Sequence, residues 1–219
     1  MRKIIGRLFK MSMILGLSLI FLLMSAGYVG YTDKIEEIPL QEKVKTIQQD
    51  PDYVTLDQID EQFLNAIVAT EDRRFYNHGA MDVISLTRAV LTNLVEGKFV
   101  QGGSTITQQL AKNMYFSSDK TVMRKIEELF MAFNLERDYS KKEILEMYVN
   151  IIYYGDGYTG IKEACEGYFQ KMPKELSFDE ATLLAGLPQA PSRYALSTNY
   201  TEAKKRQSQV IACLSDYGL

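Results

Sequence analysis

The hydrophobic and polar positions of this chain divide it into an apolar N-terminal run, a polar segment and a series of amphipathic stretches. Residues 11–32 contain no charged side chain and are long enough to cross a bilayer as one helix. Residues 33–54 are polar, contain Pro39 and Pro51 and show no helical periodicity, which predicts a stalk or linker. Residues 55–219 repeat apolar positions at helical spacing and are predicted to form one domain.

Capping residues divide this domain into helices. The predicted helices are one opened by Thr55 and Gln58, one from Asp82 to Glu96 ended by Gly97, one within residues 100–113, and others near 120–137, 140–155, 158–170, 177–187 and 201–216. The pairs Ser140/Glu143 and Ser177/Glu180 are capping boxes. Strand alternation is confined to a short hairpin near Tyr153–Thr159, so the predicted fold class is mainly α.

The charges that flank the apolar run predict its orientation. Residues 1–10 carry four basic side chains and no acidic one, whereas acidic side chains predominate just after Thr32. The positive-inside rule therefore predicts a cytoplasmic tail over 1–10, a transmembrane anchor over 11–32 and a domain on the extracytoplasmic face of the cell membrane. The alternative is a cleaved signal peptide, with Ser25–Ala26–Gly27 as the small-residue cleavage site.

Charge and rare residues exclude several function classes. A net charge of −3 and a pI near 5.4 argue against a nucleic-acid partner. His78 is the single histidine, which excludes Ser-His-Asp triads, Cys-His pairs and His-rich metal centres. Cys165 and Cys213 are predicted to be two buried, unpaired thiols on helices, although an oxidising exterior would permit a disulfide. Acid–base chemistry must therefore come from carboxylates, lysines or tyrosines.

Two adjacent carboxylates, Glu71 and Asp72, end the first predicted helix of the domain. The negative end of the helix dipole and a dry site would both raise the pKa of a carboxyl group there. A raised pKa suits a general base that works near neutrality. The alternative is that both carboxylates pair with Arg73 and Arg74 on a solvated surface.

The helix near 120–137 is apolar on most of its circumference. Its main apolar stripe consists of Val122, Ile126, Leu129, Phe130 and Phe133. Arg124 and Glu128 lie on the opposite side, which continues with Met131 and Leu135. A helix of this kind is predicted to be buried, and partly buried charges commonly have a function. An exposed i,i+4 ion pair is the alternative.

The stretch VQGGSTITQQLAKN at 100–113 places polar side chains along one side of a predicted helix. Thr105, Gln108 and Lys112 follow a glycine pair, and a glycine-lined helix start offers unpaired N–H groups to an anion. Thr105 with Gln108 also fits an ordinary capping box. The two interpretations are compatible.

The chain contains, in order, the motifs EDRRFYNH, GGSTITQQLAKN, RKIEE, KKEILEMYVNIIYYG and LSFDEATLLAGLPQAPSRY. From about Leu56 to Pro191 it resembles the peptidoglycan glycosyltransferases of family 51, which occur alone and as the first domain of class A penicillin-binding proteins. The resemblance implies a lysozyme-like, mainly helical fold with a small membrane-proximal subdomain. It also implies polymerisation of lipid II into glycan strands, with inversion and release of undecaprenyl pyrophosphate.

The resemblance further implies roles for individual residues. Glu71 matches the base that deprotonates the acceptor hydroxyl, and Glu128 matches a second glutamate near the donor pyrophosphate, where it is a candidate ligand of Mg²⁺ or Mn²⁺. No organic cofactor is expected. The implied substrate-binding residues are Ser104, Thr105, Gln108, Gln109, Lys112, Lys120 and Arg124. The implied partners are lipid II, the growing lipid-linked glycan, the cytoplasmic membrane and other cell-wall synthesis or division proteins.

Some positions depart from the family pattern. Ala80 stands where a glycine is usual, Glu127 stands where some members have a basic residue, and Tyr168–Lys171 reads YFQK in place of an aromatic-Phe-Gly-Lys sequence. SSDK at 117–120 fits the Ser-x-x-Lys pattern of transpeptidases, but no Lys-Thr-Gly accompanies it, so we interpret it as coincidence and expect no transpeptidase activity. The alternative functions are a lysozyme-like lytic enzyme and a catalytically silent scaffold of cell-wall synthesis.

Overall fold

The computed structural model describes residues 2–97, 102–116 and 121–217. Within these ranges ten α-helices form: α1 Arg2–Glu37, α2 Leu40–Gln48, α3 Glu61–Glu71, α4 Val83–Glu96, α5 Ile106–Tyr115, α6 Val122–Asp138, α7 Lys141–Ile151, α8 Ile161–Phe169, α9 Phe178–Ala185 and α10 Tyr200–Tyr217. Three 3₁₀ turns lie at Leu56–Gln58, Phe75–Asn77 and Pro173–Glu175. The mainly α prediction is confirmed.

One hairpin forms within the described residues, and it pairs β1, Tyr153–Gly155, with β2, Tyr158–Thr159, in antiparallel register. Asp156 and Gly157 make the turn with φ values of 52° and 93°, a backbone region that suits glycine. The hairpin was expected here, and it ends α7 at Ile151, four residues before the predicted end at Gly155.

Side-chain caps start the helices largely as predicted. The Asp82 carboxylate accepts hydrogen bonds from the Ile84 and Ser85 N–H groups, and Gly97 ends α4 in the left-handed conformation. The boxes at Ser140 and Ser177 are both formed. The box at Thr55 opens only the first 3₁₀ turn, so the prediction that it starts α3 is wrong. Asp60 caps α3 instead, by accepting from two backbone N–H groups.

The prediction of a non-helical stalk over 33–54 is also wrong. Helix α1 continues to Glu37 and α2 follows at once, with Leu40 and Val44 in the hydrophobic core. The end of the segment is tied to α7, because the Asn150 side chain accepts from Val54 N–H at 2.9 Å and donates to the Val54 carbonyl at 2.8 Å. These residues therefore belong to the folded domain.

Two groups of helices enclose the core. Helix α3 packs against α9 and α10, and α5 packs against α6 and α7. The largest fully buried side chains are Tyr148, Tyr154, Phe63, Phe75, Ile59, Ile67, Ile106, Leu110, Met131, Leu135, Ile144 and Leu145. Helix α5 thus lies in the centre of the domain, which places its polar residues between neighbouring helices.

Helix α1 is the one helix within the described ranges that is long and apolar enough to cross a membrane, over Ile5–Glu37. Its last third packs on α6. A Cβ atom at Gly27 would collide with Ile126, and one at Gly30 would collide with Glu127, so both glycines let the helix axes approach closely. The Tyr28 ring meets Phe130 edge-on at 5.4 Å between centroids.

The α6 stripe that the sequence marks as mainly apolar is turned away from the core. Val122 and Phe133 are exposed, and Ile126 and Phe130 are half-buried because α1 covers them. The opposite side of α6, with Met131, Leu135 and Glu128, is the buried one. The helix is therefore in contact with protein on both sides, as expected, but Glu128 lies on its core side.

Helix α4 presents an apolar surface to solvent. Within this fully described helix Ala89 alone is buried. The exposed apolar side chains are Val83, Ile84, Leu86, Val90, Leu91, Leu94 and Val95. Such a continuous patch marks a surface that contacts a partner or a membrane.

Cys165 and Cys213 are both free, as predicted. Cys165 is buried on α8, and burial raises the pKa of its thiol to about 12. Cys213 on α10 is only half-buried, so the prediction that both thiols are buried is wrong for Cys213.

Candidate active site

Glu71 is the last residue of α3, where the chain leaves the helix. Its Oε2 accepts a hydrogen bond of 2.9 Å from Nε2 of Gln109 on α5. Gln109 in turn accepts a hydrogen bond of 3.2 Å from the hydroxyl of Tyr148 on α7. Three helices therefore fix the position of this carboxylate.

The surroundings of Glu71 favour its protonated form. Burial raises the pKa of Glu71 above its ordinary value of 4.5, while the Gln109 hydrogen bond and the charge of Arg206 lower the pKa in part. The residue still keeps a partly accessible surface. A carboxyl group that combines a raised pKa with access to solvent takes up a proton more readily than an ordinary glutamate does.

Asp72 has a different environment from its neighbour. It is 6% exposed; one of its oxygens lies 2.7 Å from His78 Nε2, and the other accepts from the Ile106 N–H at 3.0 Å. Burial raises the pKa of Asp72, and the hydrogen bond to His78 opposes that rise. Asp72 thus joins the end of α3 to the start of α5.

The alternative in which Glu71 and Asp72 pair with Arg73 and Arg74 is wrong. Arg73 contacts Asp216 on α10, and Arg74 lies 3.1 Å from the Asp82 carboxylate that caps α4. Arg73 and Arg74 therefore contact carboxylates at other helices. The hydrogen-bond partner of Glu71 is Gln109.

Glu128 lies between two cationic side chains. Arg124 Nη1 is 2.5 Å from one carboxylate oxygen, and Lys125 Nζ is 3.1 Å from the other. Glu128 is 1% exposed, whereas Arg124 is partly exposed and Lys125 is largely exposed. Lys125 also lies 2.9 Å from the hydroxyl of Ser104, just before α5. The structure therefore brings the candidate residues Ser104, Arg124 and Glu128 together and adds Lys125.

Thr105 and Gln108 point inwards. The Thr105 hydroxyl accepts from the Gln108 N–H, which confirms its capping role, and it also donates to the Ala80 carbonyl at 3.1 Å. The Gln108 side-chain amide donates to the same carbonyl at 2.9 Å, and both residues are buried. Lys112 is exposed and makes no ion pair with any residue that the structure describes. Of the three polar residues on this side of α5, Lys112 alone is free to meet a ligand.

The departures at Ala80 and Glu127 have structural explanations. Ala80 acts through its backbone carbonyl, and its φ is not among the positive values found in the described residues, so a glycine is not required there. Glu127 packs beside Gly30 of α1. The next residue, Glu128, contacts Arg124 and Lys125 instead. Lys120 and the SSDK sequence at 117–120 lie outside the described residues.

Three residues of the site were not predicted from the sequence. Lys125 contacts Glu128 at i,i+3, a spacing that a search for ion pairs would find. Tyr148 and Arg206 come close to Gln109 and Glu71 only through the packing of α7 and α10 on the centre of the domain. Nothing in the local sequence marks those two contacts.

Glu128 and a group of three side chains near the start of α4 are the candidate ligands of a metal ion. Both oxygens of Glu128 already face cationic nitrogens, an arrangement that does not fit a divalent ion on this carboxylate. Asp72, His78 and Asp82 offer ligand atoms within 4.8 Å of one another. These atoms are also engaged, however, in contacts between the side chains and in hydrogen bonds to the starts of α4 and α5. In both places the candidate ligand atoms are therefore already engaged by protein partners.

Comparison with known proteins shows the family. The sequence profile described as Transglycosylase matches residues 39–215. Penicillin-binding protein 1A of Aquifex aeolicus is 45% identical over 166 residues, which cover 76% of this chain and 23% of that protein. Penicillin-binding protein 1F of Bacillus subtilis is 44% identical over 165 residues, 75% of this chain and 23% of that protein.

Penicillin-binding protein 1A of Neisseria lactamica is 43% identical over 164 residues, 75% of this chain and 21% of that protein. The chain thus spans less than a quarter of the length of these relatives. The profile covers α2 to α9 and most of α10, and it includes Glu71, Gln109 and Glu128. The chain therefore belongs to the transglycosylase family.

Proposed function

We propose that this chain polymerises lipid II by inverting glycosyl transfer at the extracytoplasmic face of the cell membrane. The acceptor is the sugar of one lipid II molecule, and the donor is the lipid-linked growing chain. The observation that carries the proposal is the contrast between two desolvated carboxylates, because the partly accessible Glu71 has an amide partner and the buried Glu128 has two cationic partners. Different environments assign different roles to chemically identical groups.

Glu71 is proposed as the general base. It removes the proton from the 4-hydroxyl of the acceptor sugar while that oxygen forms a bond to C1 of the donor. The bond between C1 and the pyrophosphate oxygen breaks at the same time, with inversion at C1. The proton ends on Glu71 and the electron pair on undecaprenyl pyrophosphate, so atoms and charge balance. The raised pKa of Glu71 makes it a stronger base than an ordinary glutamate.

Arg124, Lys125 and Lys112 are proposed to neutralise the departing pyrophosphate. Glu128 holds the first two cations, and the exposed Lys112 supplies a third from α5. Preorganised cations stabilise the charge that develops on a leaving group without reorganising during the reaction. Glu128 is thus proposed to position cations and not to transfer a proton.

The apolar surfaces support a lipid substrate. Helix α1 is suited to cross the bilayer, and α4 exposes a row of valine, leucine and isoleucine side chains. We propose that α4 forms the membrane-proximal subdomain and contacts the outer leaflet, where a lipid-linked substrate would enter. Glycosyl transfer is the one activity that we propose for these residues.

The test is an assay of the full chain with purified lipid II in detergent, and a parallel incubation with finished glycan strands. We expect polymeric glycan from lipid II and no cleavage of the finished strands. Cleavage of finished glycan without polymerisation would instead identify a lytic enzyme. If neither substrate changes, the scaffold alternative is correct.

A further inference from the structure

A chain of two hydrogen bonds connects the core to the proposed base. The Tyr148 hydroxyl donates to Gln109 Oε1 at 3.2 Å, and Gln109 Nε2 donates to Glu71 Oε2 at 2.9 Å. Tyr148 is fully buried, and it reaches no solvent from its position on α7. Burial raises the pKa of Tyr148 well above its ordinary value, so the hydroxyl remains a donor at any working pH.

The order of donors fixes which end of the Gln109 amide faces Glu71. A glutamine side chain can turn over, exchanging its oxygen and its NH₂ group. In the observed orientation the NH₂ group faces the carboxylate and stabilises its ionised form. In the reversed orientation the amide oxygen would face Glu71 and stabilise the protonated form, while the buried Tyr148 proton would lose its acceptor.

We propose that Tyr148 is a positioning residue that holds the Gln109 amide in the orientation that keeps Glu71 available as a base. The inference rests on the proposed function, in which Glu71 must be ionised to accept a proton. It also makes Gln109 a hydrogen-bond partner of the base, whereas the family resemblance implies that Gln109 binds substrate. Ser104 and Lys112 on the same segment are left for substrate contact.

Several charged or titratable groups act on Glu71. They are Asp72 on the same turn, Arg206 from α10, Tyr148 from α7 and Tyr154 from β1, while the uncharged Gln109 amide acts through its hydrogen bond. Removing the Tyr148 hydroxyl alters none of the other side chains. The Gln109 amide would become free to turn over, and the protonated form of Glu71 would gain a hydrogen bond.

The test measures the pKa of Glu71 in the full chain without lipid II. Glutamate ¹³C-carboxyl labelling reports the titration by NMR, and Glu71→Gln assigns the signal by difference. We expect Tyr148→Phe to raise the pKa of Glu71 by about one unit, the equivalent of one net hydrogen bond. The acidic limb of the turnover–pH profile should move to higher pH by the same amount, with KM for lipid II unchanged.

Tyr154→Phe is the matched control. It removes another hydroxyl from a fully buried tyrosine, one that donates to the Val149 carbonyl and not to Gln109. An unchanged pKa of Glu71 in Tyr148→Phe, or an equal shift in both variants, would overturn the proposal. If Tyr148→Phe does not fold, Gln109→Met must still raise the pKa of Glu71, because it removes the donor.

The titration also separates the two hypotheses. If the wild-type chain does not polymerise lipid II, the proposed function fails, but the pKa of Glu71 in the variants still decides whether Tyr148 orients Gln109. If polymerisation is normal and the pKa does not respond, the positioning role alone is wrong.

Discussion

Glu71 and Glu128 carry the same carboxyl group in different surroundings. Glu71 is desolvated at the end of α3 and accepts one neutral hydrogen bond, whereas Glu128 is desolvated between a guanidinium and an ammonium group. A desolvated carboxylate without a cation at contact distance is unstable as an anion, and this instability is what a base needs. The same instability should be measurable in the folding equilibrium.

Glu71→Gln should therefore abolish polymerisation and stabilise the fold at neutral pH. Because the folded-state pKa of Glu71 is raised, the folded state binds the proton more tightly than the unfolded state, and stability falls as pH rises through that pKa. A glutamine at position 71 does not ionise, so the variant does not lose stability in this way. Denaturant unfolding at a series of pH values should show a gain for the variant at pH 7 that disappears below about pH 4.5, the unfolded-state pKa of a glutamate. Polymerisation at the wild-type rate would contradict the role as base.

Lys112→Ala should lower turnover and leave the stability of the fold nearly unchanged. The side chain is exposed and has no ion pair among the described residues, so the free energy of unfolding should change by less than about 0.5 kcal/mol. Turnover should fall by ~10²–10³ if the ammonium group stabilises the leaving pyrophosphate. Binding of a moenomycin-type phosphoglycolipid should weaken too. Lys205→Ala, an exposed lysine on α10, is the control, and equal effects in both variants would refute the prediction.

The sequence could name candidate residues of the site, whose roles stay predictions, but it could not give the directions of their side chains. Glu71, Glu128, Arg124 and Ser104 were all named, and the spacing of the last turn of α3 was enough to place Glu71. The inward turn of Gln108 was not predictable, because it depends on the Ala80 carbonyl, which is 28 positions away and reaches α5 only in the folded chain. A polar residue on a helix gives no local sign of whether its partner is a ligand or the backbone.

Helices could be predicted wherever a capping residue or a long helical repeat of apolar positions marked them. Helices α4, α7 and α9 begin at the predicted caps. Helix α2 was missed, although Leu40, Val44 and Ile47 repeat at i, i+4 and i+7, because a helix of nine residues carries a weak signal. The buried side of α6 was also missed, since no sequence pattern shows that α1 would cover its apolar stripe.

The contact between α1 and α6 makes a prediction at the level of elements. Gly27→Ile places side-chain atoms against Ile126 and Met123, and overpacking of this kind costs about 1–3 kcal/mol. We expect a lower thermal midpoint in detergent and reduced turnover. Gly16→Ile is the matched control, because nothing lies within 4 Å of a Cβ atom at Gly16. Identical melting of the two variants would show that α1 does not stabilise the domain.

At the scale of the molecule, the family match confirms the resemblance and with it the mainly α, lysozyme-like fold. The architecture could be predicted because five motifs occur in a fixed order. The way in which the domain is attached to its apolar helix could not be predicted. The segment predicted as a linker is helical, and its residues Leu40 and Val44 are part of the core.

The full chain should fractionate with membranes and keep its N-terminal residues. Cleavage near Gly27 would cut α1 within its contact with α6 and remove the apolar run. Amino-terminal sequencing of the protein from cells checks this. A start near Gly27 would favour the signal-peptide alternative, and release by salt alone would argue against a transmembrane helix.

The close packing of Gly27 and Gly30 on α6 has a consequence for the depth of the site. A helix that enters the hydrocarbon near residue 11 and rises ~1.5 Å per residue leaves a ~30 Å core near residue 30. In the proposed membrane arrangement Gly27 and Gly30 would therefore lie in the last turn of α1 before the outer headgroups, and Arg124, Lys125 and Glu128 stand on the helix that packs there. A pyrophosphate attached to a lipid tail travels at that same level. Its encounter with the cations is then a search in two dimensions, and the lipid need not be lifted out of the leaflet.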